Sequence, residues 1–253
     1  MLSRRTRPLL LVALVVLTAT GCASRDLPSF GMPERDVTDQ APRILSLWQG
    51  SWIAALAVGA LVWGLIIWSV IFHRRRRGET GLPPQTRYNV PIEVLYITVP
   101  IIAVLVFFFF TVRDQDRVLA VETNADHQIT VTGIQWSWQF NYTSDGGEGA
   151  TVTGTPGKPP TLVLPQGESV RFTLLSDDVI HSFWVPAFLF KLDVIPGNRN
   201  SFQVTPTKIG TYVGRCAELC GQDHSRMLFN VEVVPPDDFD SYVADLEEAG
   251  AAQ

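Results

Sequence analysis

The chain has 253 residues, enough for one or two domains, and carries a net charge of −5. It is 46% hydrophobic, but the apolar residues are unevenly spread, so composition alone singles out no class. The acidic balance argues against a nucleic-acid partner, and no nucleophile-and-base set suggests that this chain does bond-breaking chemistry itself.

In chain order, residues 1–21 read as an export signal. Arg4, Arg5 and Arg7 precede a short apolar stretch from Leu9 to Leu17, and small residues lead to Cys22. Ala19-Thr20-Gly21-Cys22 resembles a bacterial lipoprotein cleavage box, with Ala19 where leucine is usual. A lipid anchor on Cys22 is the expectation, with an ordinary or uncleaved signal peptide as the alternative. Residues 22–48 follow as an exterior segment.

Trp52 to Phe72 and Val94 to Val112 are apolar runs of about 20 residues each. That length crosses ~30 Å of hydrocarbon at ~1.5 Å per residue. They predict a two-helix membrane hairpin over 49–112, with Pro100 tolerated inside the second span. Loop 73–90 between them holds Arg74, Arg75, Arg76, Arg77 and Arg87. Positive charge places this loop in the cytoplasm and both ends of the mature chain outside.

Residues 113–253 are a different material, with 19 acidic and 9 basic side chains. In 135–142, Trp136, Trp138, Phe140 and Tyr142 alternate with polar residues, which reads as one strand. Residues 169–175 and 226–234 repeat the pattern. Short strands with Gly and Pro between them predict an all-β sandwich over 113–235. Residues 143–160 read as a loop, and 236–253 as an acidic tail with a short helix.

The chemistry concentrates in 216–227, CAELCGQDHSRM. Cys216 and Cys220 alone, in an exported domain, could simply form a disulfide. His224 and Met227 change that reading, because thiolate, imidazole and thioether together suit copper. His181, in an apolar run upstream, is a further candidate, although such a residue can equally be an interior histidine. A mononuclear blue-copper site needs one thiolate, and here there are two. Two thiolates can bridge two metals, with one histidine for each, so the ligand count points to a dinuclear copper centre.

These residues are similar to those of subunit 2 of haem–copper cytochrome c oxidase. The motif Cys216-Ala-Glu-Leu-Cys220-Gly-x-x-His224-x-x-Met227 resembles that family's dinuclear copper (CuA) loop, and His181 falls where its first ligand lies. The resemblance implies a cupredoxin-like sandwich behind the hairpin, in the plasma membrane of a bacterium. It implies that Cys216 and Cys220 bridge two copper ions. His224 and the carbonyl of Glu218 would complete one ion, and His181 and Met227 the other. The Glu218 side chain would bind magnesium or manganese at the interface with subunit 1. Trp136 would admit electrons from cytochrome c, although Ser137 stands where the family has an aromatic. Asp177 and Asp178 would dock the donor, either a basic cytochrome c or a membrane-bound cytochrome c domain. Glu93 would stand at a proton-pathway entrance. Subunits 1 and 3 and membrane lipid would be the partners, with oxygen reduction and proton pumping centred in subunit 1. The competing readings are a quinol oxidase subunit 2, which lacks the copper ligands, and a membrane-tethered copper-binding protein. No Cys-x-x-Cys-His follows Met227, so a fused cytochrome c is not expected.

Overall fold

The computed structural model describes residues 29–251, apart from 34–35, 76–77, 79, 83–84, 123 and 144–148. The expected signal peptide and Cys22 lie outside the described residues.

Two long helices come first, α1 (Ala41–Phe72) and α2 (Val90–Val118). Pro42 sits in the first turn of α1, where its missing N–H costs nothing. Asn89 caps α2 by accepting from Ile92 N at 3.4 Å, and Glu93 Oε1 accepts from Asn89 N at 3.1 Å. Both helices are long and apolar enough to cross a membrane, and their apolar faces are exposed along the spans. So much contiguous apolar surface calls for lipid or partner helices around it.

The helices overrun the expected 49–112 limits, beginning at Ala41 and ending at Val118. Apolarity marks the thickness of hydrocarbon, whereas helix ends are set by caps and packing. The extra turns are where burial occurs: Ala41, Leu45, Asp114 and Val118 are buried. Arg113 pairs with the buried Asp114 at 2.9 Å.

The rest is a sandwich of two five-stranded sheets. The strands are β1 (His127–Ile134), β2 (Ser137–Thr143), β3 (Ala150–Thr153), β4 (Thr161–Pro165) and β5 (Val170–Ser176). They continue with β6 (His181–Val185), β7 (Phe190–Val194), β8 (Asn200–Val204), β9 (Gly210–Cys216) and β10 (Leu228–Val234). One sheet runs β3-β2-β1-β5-β8 and the other β4-β10-β9-β6-β7. The β1–β5 and β10–β4 pairs are parallel and the other ladders antiparallel. The expected loop 143–160 contains β3, which pairs with β2. This short edge strand hides among turn residues because only one side of it is paired.

Between the sheets lies an aromatic core. Phe183 stacks on Phe229 at 4.8 Å, Phe172 stacks on Phe202 at 4.7 Å, and Trp138 meets Phe183 and Phe229 edge-on. Edge-to-face and offset pairs add to the stabilisation from burial alone. Helix α3 (Pro236–Ala251) covers one end, with Phe239 buried against the sandwich. Asp237 and Asp238 in its first turn suit the positive end of the helix dipole.

A short segment ties the hairpin to the sandwich. Asp39 N donates to Thr205 O at 3.0 Å, Thr205 N donates to Asp39 Oδ1 at 2.9 Å, and Thr38 bridges Pro206. The buried Val37 anchors this strap in the core. The sandwich therefore meets α1 through paired backbone rather than through a free linker.

Candidate metal centre

Two connections at one end of the sandwich build the site. The first joins β5 to β6 and delivers His181, fully buried at the start of β6. The second is a lasso between β9 and β10. Its ends are closed by Cys216 N donating to Met227 O at 3.0 Å, and Ala217 N donates to Ser182 O at 3.0 Å on β6. Cys216 also pairs with Phe183 across the β9–β6 ladder. The two ligand-bearing segments are thus fixed to each other by the sheet.

Inside the lasso the side chains converge. Cys216 Sγ and Cys220 Sγ lie 3.9 Å apart. His181 Nδ1 is 3.9 Å from the first sulfur and His224 Nδ1 is 3.6 Å from the second. Met227 Sδ lies 3.7 Å from Cys220 Sγ, and the Glu218 carbonyl oxygen lies 3.2 Å from Cys216 Sγ. Cys216, Cys220 and Met227 are buried, while the Glu218 side chain is exposed. The polypeptide therefore turns the Glu218 carbonyl inward and its carboxylate outward.

The donor set fits a metal on two grounds. The thiols are free, and their separation is less than two metal–thiolate bonds of ~2.3 Å. Both sulfurs can therefore reach one ion. The second ground is electrostatic. Burial pushes the Cys216 thiol up, but hydrogen bonds with His181 and with the backbone at Glu218 and Ser182 outweigh it, bringing it down to about 7. Burial and then the adjacent Cys216 push Cys220 up to about 12. Two thiolates this close resist ionising together unless a cation lies between them.

His181 is held in one orientation. Its Nε2 lies 2.7 Å from Asp178 Oδ1, which leaves Nδ1 aimed at Cys216. Burial lowers its basicity, while contacts with Cys216 and Asp178 more than restore it. Asp178 loses solvation, yet hydrogen bonds from His181, Val179 N and Gln135 N hold its carboxyl below the usual value.

Trp136 is displaced from its expected place. It lies in the turn between β1 and β2, half-buried, and only Trp138, Phe140 and Tyr142 share the core face of β2. Its Nε1 donates to Cys220 O at 3.2 Å. A Cβ on Gly221, whose φ is +124°, would fall 3.0 Å from that nitrogen. Asp177 lies exposed beside the site. Glu93 is far along the chain at the opposite end of the hairpin, in the first turn of α2.

Two features escaped sequence reasoning. Asp178 orients His181, for which an acid three residues before a histidine was the available signal. Gln135 reaches Cys220 O through its amide at 2.7 Å, and nothing in its polar, alternating surroundings marked it.

A buried thiol–imidazole–thioether cluster on a β-sandwich, carried by two membrane-length helices, fits a membrane protein with a metal site. A family model described as the periplasmic domain of cytochrome c oxidase subunit II matches residues 158–234. A probable cytochrome c oxidase subunit 2 of Streptomyces avermitilis is 51% identical over 282 residues, covering 98% of this chain and 88% of the relative. Cytochrome c oxidase subunit 2 of Mycobacterium bovis is 36% identical, covering 95% of this chain and 82% of the relative. Among solved structures, the periplasmic domain of subunit II of cytochrome oxidase of Bradyrhizobium japonicum aligns at 33% identity with a TM-score of 0.46. That alignment covers 51% of this chain and 99% of that one. The chain belongs to the cytochrome c oxidase subunit 2 family. It is a component of an oxidoreductase complex, its fold is the expected pair of long apolar helices followed by a β-sandwich, and its cysteine and histidine cluster fits a CuA site.

Proposed function

We propose that this chain is the electron-entry subunit of its oxidase, taking electrons from cytochrome c, or from a membrane-bound cytochrome c domain, and delivering them to haem in subunit 1. One observation carries the reading: two buried sulfurs 3.9 Å apart, each with its own imidazole nitrogen within 3.9 Å. His181, Cys216, Glu218 through its carbonyl, Cys220, His224 and Met227 would hold two copper ions. Bound there, copper supplies one-electron redox chemistry at soft and imidazole donors. The residues themselves supply rigidity. The β9–β6 and β9–β10 ladders hold the donors in place, so that little reorganisation accompanies each electron.

Trp136 stands between the surface and Cys220 O, which suits it to electron entry. Asp177, and Asp178 with the part of its carboxylate not engaged by His181, add negative charge beside it. Complementary charge of this kind raises the on-rate of a basic donor. The exposed Glu218 carboxylate suits a magnesium or manganese ion shared with subunit 1. Glu93 would serve a proton pathway into subunit 1, where oxygen reduction drives pumping. Cys22 would carry lipid, with loop 73–90 in the cytoplasm, the copper domain outside, and subunits 1 and 3 around the hairpin in a bacterial plasma membrane.

The test is copper content and electron paramagnetic resonance on the full chain in detergent. Two coppers per chain, with one unpaired electron shared by both nuclei, is the expected result. Cys216→Ser should abolish the shared signal. One copper with an ordinary cupric signal, from protein with reduced thiols, would overturn the reading.

A further inference from the structure

We propose that Gln135 is a positioning residue that clips the two metal-ligand segments together across the mouth of the site. The inference rests on the dinuclear reading for its purpose, but its structural core is independent of copper.

Gln135 sits in the turn between β1 and β2, beside the end of β5 in its own sheet and facing the lasso, which joins β9 and β10 of the other sheet. Its backbone N–H donates to Asp178 Oδ2 at 2.6 Å. The other oxygen of that carboxylate lies 2.7 Å from His181 Nε2. Its side-chain Nε2 donates to Cys220 O at 2.7 Å. One residue thus links His181, through Asp178, to Cys220 on the lasso.

The lasso needs such a link at this point. Its ends are secured by the hydrogen bond from Cys216 N to Met227 O, but Cys220 lies four residues beyond Cys216, the last residue of β9. Two hydrogen bonds reach Cys220 O from outside the lasso, from Gln135 Nε2 and Trp136 Nε1. A carbonyl oxygen has two lone pairs and can accept both. Gly221 makes this possible, since a Cβ there would lie 3.2 Å from Gln135 Nε2. The role demands an amide of this length. A glutamate would set oxygen against oxygen, asparagine would fall short by a methylene, and methionine would fill the space with no donor.

The purpose follows from what the carbonyl anchors. Holding Cys220 O sets the direction of the Cys220 side chain, and with it the sulfur that faces Cys216, His224 and Met227. Outer-shell hydrogen bonds of this kind typically change metal retention by about 10- to 100-fold.

The experiment compares wild type, Gln135→Met, Gln135→Asn and the control Gln139→Met in the full chain in detergent. Gln139 is on the same hairpin but bonds to Thr153 Oγ1, away from the lasso. In reduced, metal-free protein, iodoacetamide labelling of Cys220 is followed by peptide mass spectrometry. In copper-loaded protein, loss of copper to a Cu(I) chelator is timed. We expect both Gln135 variants to label Cys220 and to lose copper about tenfold faster, with Gln139→Met unchanged. Should the methionine variant fail to fold, by its thermal melt, the asparagine variant carries the test. Rates equal to those of the Gln139 control in both assays would overturn the proposal. Faster Cys220 labelling in a chain that never binds a copper pair would uphold the clip and sink the proposed function instead.

Discussion

Asp178 Oδ1 lies 2.7 Å from His181 Nε2, at the base of a histidine that is completely buried. The contact fixes which imidazole nitrogen faces the sulfurs, because Nε2 spends its proton on the carboxylate and Nδ1 stays free. Asp178→Ala should therefore weaken copper retention by about 10- to 100-fold, and Asp178→Asn, which keeps an oxygen acceptor, should do so less. Competition with a chelator measures this, and the effect should persist in high salt. Asp177→Asn should behave in the opposite way, leaving copper retention intact and slowing donor association only at low ionic strength. If both variants changed only the salt-dependent on-rate, the orienting role of Asp178 would be lost.

Trp136 joins the surface to the lasso through one indole N–H, 3.2 Å from Cys220 O. Trp136→Ala should retain two coppers per chain and slow electron entry by about tenfold or more, the equivalent of ~1.4 kcal/mol of barrier. Stopped-flow oxidation of the reduced donor reads this directly. Trp136→Phe keeps the ring and loses the hydrogen bond, so an intermediate rate would assign part of the effect to the N–H. Unchanged entry kinetics in the alanine variant would remove Trp136 from the path.

Gly133 lies in β1 directly beneath His181. A Cβ there would fall 2.8 Å from His181 Cδ2 and 3.1 Å from Cγ. Glycine inside a strand often marks such an approach. Gly133→Ala should push the imidazole aside and cost about 1–3 kcal/mol, seen as a lower thermal midpoint of the metal-free chain. The shared copper signal should broaden or become mononuclear in the same protein. A normal signal with a normal midpoint would mean that His181 can give way without cost.

The sequence made the architecture legible wherever one physical constraint dominated. The apolar runs announced the spans because hydrocarbon tolerates little else, and Trp138, Phe140 and Tyr142 announced β2 because alternate positions face the core. The ligands were legible because soft donors crowd into 216–227. What stayed hidden depends on tertiary placement. Trp136 continues the alternation of β2 in sequence, yet it still lies in the turn that precedes β2, so periodicity began the strand too early. Asp178 was legible as a docking acid, but its bond to His181 Nε2 depends on how the β5–β6 connection folds back. Gln135 could not be read at all, since its partners are a carbonyl 85 residues away and a carboxylate 43 residues away. The helices ran past the spans into turns where Ala41, Leu45 and Val118 are buried within the protein, whereas the apolar side chains along the spans are exposed.

Glu93 has a structural duty that any functional test must separate from proton transfer. Its Oε1 accepts from Asn89 N at 3.1 Å, so it helps to close the first turn of α2. A carboxylate there also suits the positive end of the helix dipole. Glu93→Gln keeps an oxygen acceptor in the same place and removes the charge and the ionisable proton. The assembled oxidase carrying this variant should form normally and show an unchanged copper signal. Its steady-state turnover should fall if Glu93 feeds protons to subunit 1. Glu93→Ala removes both duties, so it should add a loss of assembled complex of the size expected for a missing helix cap, about 1 kcal/mol. Full turnover in the glutamine variant, with reduced assembly only in the alanine variant, would leave Glu93 as a cap and nothing more.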